Sequence, residues 1–462
     1  MAVIWFTPTE ITPGTANAWT DADVSGSVPT GSTGVILHFE NTGTTTTAVG
    51  FRKNGSGDNR TQNLYSSSHF WCAIGVDTNR ILELYLGNIT SVNVWLVGYF
   101  GSDASFFTNA VDKSLSSSGT WLDIDISADT GIDTAIGAIF EVTGAVSANW
   151  GIRKNGSSDS RIKDVDSHGA AIIGVDSSEI CEGYVSTTTA GYFLVGYVTE
   201  GSTFYTNAVD MSLSESTIWE ESFTGETFPP SGWTTGGDAN WTRDATTYDT
   251  SPAAANSGVI THNQNTWLDK DITLSQEAVL KFKWKVSSES GYDCLCYCQD
   301  MDATCTRTNN TAKRSGEGNW AAYTSSALTI GDHSLRWLYA KDSSVSSGTD
   351  EGWIDTLSLV AGVEVWIDLA TLASGATGGY FEIVSGSYQD KFGLRKNGSS
   401  ENIYWGAAGE NHAFGLVEAD ANGKIEGKIA NENMDFYLVG YAGEAAPPEG
   451  GQMTLSTKYW GT

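Results

Sequence analysis

Six cysteines, six histidines and 55 acidic residues are the side chains from which this 462-residue chain would have to build catalysis or metal binding. Cys294-x-Cys296-x-Cys298 puts three thiols on one face of a strand, because strand side chains alternate. A turn through Asp300-Met301-Asp302-Ala303 brings Cys305 opposite Cys298. Free or later-oxidised thiols, a Cys298–Cys305 disulfide and a metal site all stay open on that spacing, although the Cys-x-x-Cys knuckle favoured by zinc is missing. Cys72 and Cys181 stand alone in apolar strands and read as buried thiols. Ca²⁺ needs six to eight oxygens, and Asp238, Glu289, Asp293, Asp350, Glu351 and Asp355 are the candidates for it, without EF-hand spacing. They are set against the simpler reading of solvated loop acids. His69, His168 and His412 lack a second histidine at ligand spacing, so a structural role is expected. No nucleophile elbow, phosphate loop or His-Glu-x-x-His is present, and the many acids fall on wet strand faces. The expectation is no catalytic residue, no enzyme and no cofactor other than Ca²⁺.

The elements that hold these residues are strands. Gly, Trp and Tyr are plentiful at 52, 17 and 18, charged residues are only 17%, and no apolar spacing sustains a helix. A net charge of −30 argues against nucleic acid as a partner and for solubility. Met1 to Pro8 has no basic region or long apolar run, so neither Sec export nor membrane insertion is expected.

Self-similarity organises the chain. Arg52-Lys53-Asn54-Gly55-Ser56 recurs as Arg153-Lys154-Asn155-Gly156-Ser157 and Arg395-Lys396-Asn397-Gly398-Ser399. Each copy follows an apolar strand ending in Glu40, Glu141 or Glu382 and precedes one of the three histidines. Each closes on Leu-Val-Gly-Tyr, at Leu96, Leu194 and Leu438. The Asn-Gly pair predicts a two-residue type I′ hairpin. The basic pairs Arg52/Lys53, Arg153/Lys154 and Arg395/Lys396 are expected to pair across strands with Glu40, Glu141 and Glu382, or else to attach to an acidic neighbouring subunit.

The predicted fold is all-β, with three repeated β-sandwich modules plus one inserted jelly-roll sandwich. An N-terminal arm spans 1–17 and the modules span 18–101, 118–199 and 361–442, with connectors at 102–117 and 200–219 and a tail at 443–462. The inserted block, 220–360, opens Phe228-Pro229-Pro230-Ser231-Gly232-Trp233 and closes Gly352-Trp353-Ile354-Asp355. On those motifs it resembles the jelly-roll domains of the MAM and cleaved-adhesin type, which implies an adhesive or sugar-binding element. The Arg-Lys-Asn-Gly-Ser modules resemble building blocks of tailed-phage structural proteins.

Together these resemblances imply a non-enzymatic protein on a phage particle: a capsid decoration, head fibre or tail-associated protein. Its expected partners are other virion proteins, a host glycan and further copies of itself, with localisation on the virion after synthesis in host cytoplasm. A secreted adhesin or surface-layer protein, and a carbohydrate-active enzyme, are the alternatives.

Overall fold

The structure, a computed structural model, describes residues 3–144, 148–164, 168–250, 252–386, 390–407 and 412–443. It is all-β; the one helical element among the described residues is a 3-10 turn at Asp302–Thr304. Two compact units divide the chain, one made of 1–213 with 368–462 and one of Ser214–Ile367.

In the first unit one strand order occurs three times. An outer strand, the Leu-Val-Gly-Tyr strand, the acid-ending strand and the histidine strand lie side by side. In the first module these are Val3–Glu10, Val92–Phe100, Gly34–Asn41 and Ser68–Gly75. In the second they are Ala104–Asp112, Gly191–Val198, Gly137–Thr143 and His168–Gly174, and in the third Ser202–Asp210, Met434–Gly443, Ala376–Ser385 and His412–Glu418. A second sheet in each module carries the Arg-Lys strand: Thr47–Lys53, Asn149–Lys154 or Lys391–Lys396.

The acid and histidine strands are apolar on both faces, and nearly all their residues are buried. A sheet facing water on one side would alternate. Here one face packs on the module's second sheet, while the other meets the neighbouring modules, because the three histidine strands lie against one another. The modules therefore close into a ring. At the junction of the third and first modules, Trp405–Ala407 pairs in parallel with Ser68–Gly75, which makes one eight-stranded sheet.

The segments read as arm and connectors are the outer strands themselves. Ala104–Asp112 pairs with its own module's Gly191–Val198 and lays Phe106 on the preceding module, where a side chain at Gly34 would have its Cβ 2.3 Å from the ring. Phe204 does the same over Gly137, and Trp5 over Gly378. The Asn-Gly expectation also needs correction. Lys53 to Ser56 is a turn closed by Ser56 N–H to Lys53 O at 3.1 Å, with positive φ at Gly55 but not at Asn54. That is type II geometry, and the chain travels on to Gln62 before pairing back.

The second unit packs two sheets, of six and five strands, over Trp233, Trp241, Phe282, Trp284, Tyr297 and Trp337. Burying each such side chain contributes about 1.5–3 kcal/mol, which gives this unit a core of its own. Its first and last strands pair, with Ser216 opposite Ala361, so the chain enters and leaves at one place.

Candidate functional site

Within the strand Val279–Ser287 of the second unit, residues 280–286 alternate: Leu280, Phe282, Trp284 and Val286 point into the core, so Lys281, Lys283 and Lys285 face out. Lys281 is tied to Glu215 and Lys283 to Asp249, at 2.5 and 2.6 Å. Lys285 lies 5.3 Å from the ring of Trp353 on the adjacent strand. That indole donates Nε1–H to Asp244 Oδ2 at 2.9 Å. Around these groups lies a cleft of about 700 Å³, with Asn256, Glu317 and Glu351 on its wall.

The electrostatics of the cleft are mixed. Burial, with Asp244 nearby, holds the Glu351 carboxyl above its ordinary range. Burial acts the same way on Asp244, but bonds from Thr246 and Trp353 outweigh it and hold Asp244 low. Asp244 Oδ1 accepts from Thr246 N, Thr246 Oγ1 and Thr247 N, while Oδ2 takes the indole. A carboxylate engaged on both oxygens orients its neighbours; it is poorly placed to attack a substrate. The cleft thus offers donors, acceptors and an ammonium to hydroxyl-bearing ligands.

Two of the Ca²⁺ candidates, Glu289 and Asp293, meet elsewhere in this unit beside Asp342, and a third, Asp350, joins them through Lys341. Ligand oxygens of Glu289, Asp293 and Asp342 lie within 4.8 Å of one another. Lys341 reaches Asp293 at 3.1 Å and Asp350 at 2.6 Å. Burial opposes the charge of Lys341, but those two partners outweigh it and hold its pKa high. Burial, then Asp342 and Asp293, raises Glu289. Four carboxylates with one ammonium leave negative charge uncompensated, which a hard divalent cation would relieve. If it binds there, a Ca²⁺ concentration of ten to a hundred times Kd is expected to stabilise this unit by roughly 1.4–2.7 kcal/mol. The measurement is melting in Ca²⁺ against EDTA, with Asp293→Asn expected to remove the difference; equal melting in both buffers excludes the site. The other three candidates are apart: Asp238 accepts Asn265 N, Asp355 accepts the backbone N–H of Asp249, Thr250 and Thr356, and Glu351 lines the cleft.

The signature basic residues are engaged within the ring. Arg52, Arg153 and Arg395 pair with Glu83, Glu182 and Glu426, at 2.9, 2.9 and 2.6 Å, and not with Glu40, Glu141 and Glu382 as the sequence suggested. The first two also lie over Trp19 and Trp121, each at 4.1 Å. Lys53 and Lys154 donate to Phe106 O and Phe204 O of the next outer strand, whereas Lys396 pairs with Glu418.

The three glutamates instead hold the junctions. Glu141 takes Arg60 of the first module and lies 2.6 Å from His168 Nε2; Glu382 takes Arg161 of the second and lies 2.8 Å from His412 Nε2. At the third junction Glu40 accepts the indole N–H of Trp405 and of Trp95, and Ile403 stands where the arginine would be. His69 contacts His38 there, whose pKa burial pushes down to about 3. Arg60 and Arg161 escaped the sequence reading, although both lie eight residues beyond the signature arginine.

Cys298 and Cys305 are joined as a disulfide, and Cys294 and Cys296 are buried with their sulfurs 2.9 Å apart. With two of the four sulfurs bonded to each other, a four-thiolate metal site is not formed.

No protein-family model matches the chain, and no curated protein matches its sequence. Solved structures do match. The C-terminal family 22 carbohydrate binding module of Clostridium thermocellum Xyn10B shares 12% identity over 32% of this chain and 96% of its own, at a TM-score of 0.25. The K2 cleaved adhesin domain of Lys-gingipain shares 16% over 31% and 98%, at 0.24. The structure of Sulfolobus Turreted Icosahedral Virus includes a chain matched at 10% identity over 78% of this chain and 92% of its own, at 0.18. Likenesses of that size say nothing about what this chain binds.

Proposed function

We propose that the chain is a non-enzymatic adhesive protein of a virus particle surface, with the three-module ring as its attachment body and the inserted sandwich as the part that meets a receptor or glycan. The observation that carries this reading is the cleft beside Trp353, on a unit that closes its own core and is inserted once. Lys285, Asn256, Glu317 and Glu351 supply the hydrogen-bonding groups that a sugar's hydroxyls need. The doubly engaged Asp244 supports binding over hydrolysis. A body of three like modules offers repeated faces to other virion proteins, where linked weak contacts gain avidity. The acidic charge speaks against nucleic acid as a partner. Among the described residues no helix is long and apolar enough to cross a membrane.

The experiment is electrophoresis of the full chain through gels containing soluble polysaccharides. Retardation by at least one glycan is expected, and Lys285→Ala with Asn256→Ala should weaken it roughly tenfold, the cost of one or two lost hydrogen bonds. Release of reducing ends from the retained glycan would establish the enzyme reading instead. Whether the site of display is capsid, head fibre or tail is decided by fractionating purified particles. Recovery of the native protein only free of particles contradicts the virion assignment.

A further inference from the structure

The ring repeats a clamp at two junctions and lacks it at the third. Between the paired residues Phe106 and Val111 the outer strand bulges through four residues, Phe107-Thr108-Asn109-Ala110. Asn109 Oδ1 accepts Ser56 Oγ at 3.1 Å and Gly57 N at 2.7 Å, and Ala110 N donates to Asp58 Oδ2 at 2.8 Å. The second junction copies this atom for atom: Asn207 Oδ1 accepts Ser157 Oγ and Ser158 N at 3.0 and 2.8 Å, and Ala208 N donates to Asp159 at 2.8 Å.

At the third junction the turn is present as Ser399-Ser400-Glu401, but the strand facing it is shorter. Between Trp5 and Thr9 only Phe6-Thr7-Pro8 intervene, and none of them has a carboxamide. No bond from the backbone of this strand to Glu401 forms among the described residues. A cleft of about 390 Å³ remains, lined by Ser399, Glu401, Trp5 and the stacked pair His38 and Trp71. Trp5 Nε1 lies buried there without a hydrogen-bond partner. Burial, then Glu418, raises the Glu401 carboxyl, while Arg395 opposes them.

We infer that this cleft is a docking site for an extended segment of a partner protein carrying asparagine followed by a small residue, as the two filled junctions do internally. The ligand chemistry is read from the protein's own complexes: a carboxamide oxygen for the Ser399 hydroxyl and the Ser400 amide, then a backbone N–H for Glu401. Pairing along an exposed strand would add main-chain bonds. The ring would then hold its neighbour by receiving one strand at its unfilled junction, a contact independent of the glycan cleft.

The test titrates the full chain with the peptide acetyl-Phe-Thr-Asn-Ala-Val-amide, by calorimetry and by the fluorescence of Trp5 and Trp71. Saturable one-to-one binding is expected. Replacing the peptide's asparagine by alanine, or Ser399→Ala with Glu401→Ala in the protein, should weaken it about tenfold or more, since buried partners are left unmatched. A variant with Pro8→Asn and an alanine inserted after it restores the internal clamp, so it should melt higher and bind no peptide. Absence of binding to the unaltered chain, equal binding of the alanine peptide, or undiminished binding to the clamped variant overturns the assignment.

Discussion

Glu382→Ala is expected to destabilise the ring by about 3 kcal/mol, the low end of the cost of breaking a buried pair, because it takes from the buried His412 and the half-buried Arg161 the carboxylate they share, while Arg161 keeps Asp159. Glu382 and His412 are buried, while Arg161 is partly exposed and also reaches Asp159 at 3.1 Å. Removing one member of such a group costs more than the group itself contributes, since the remaining charge keeps its desolvation penalty. The third junction supplies the control. Glu40 is met by neutral indole and amide donors on both of its oxygens, so Glu40→Gln keeps one acceptor, leaves one side of the site unmatched and should cost about 1–2 kcal/mol, less than the loss at Glu382. Scanning calorimetry reads both, with two transitions expected for two compact units. Only the ring's transition should move. Equal losses at Glu40 and Glu382, or a shift in both transitions, would contradict the role given to these junctions.

Excising 214–367 and bridging 213 to 368 with a short Gly-Ser linker should leave a ring that melts cooperatively near the temperature of its transition in the full chain. The strand pair that brackets the excised unit holds Ser216 opposite Ala361, so a short bridge replaces it without stretching the ring. The excised unit should melt cooperatively by itself, as its buried tryptophans lie inside its own two sheets. A ring without a cooperative transition means that the two units complete each other's cores, and the division of labour then fails.

Much of this fold was legible because its signals are periodic. Alternation marks the wet strand of Lys281, Lys283 and Lys285, and the recurring Arg-Lys-Asn-Gly-Ser marks three equivalent strands. The outer strands were harder to read. Phe106 to Asp112 does not alternate, because a four-residue bulge separates its paired ends, so it passed for a connector. The Asn-Gly turn was misassigned because its type depends on where pairing resumes, which Asn54 and Gly55 do not encode. Glu40, Glu141 and Glu382 were given the wrong arginines for a related reason: their true partners cross from another module, and Arg60 and Arg161 recur in only two copies of the repeat. In the cleft beside Trp353, Trp353 and Glu351 stood near a recognisable closing motif, while Asp244, Lys285 and Glu317 came together only through folding. Lys341 and Asp342 joined the acidic cluster in the same way, from a loop without a motif.

We propose that recognition resides in the inserted unit and attachment in the ring. The most direct measurement places the isolated 214–367 unit and the excised ring side by side on the same panel of immobilised polysaccharides. The isolated unit is expected to be retained by the glycans that retain the full chain, and Lys285→Ala with Asn256→Ala to release it, while the ring passes through. Retention of the ring with passage of the isolated unit would contradict the proposal.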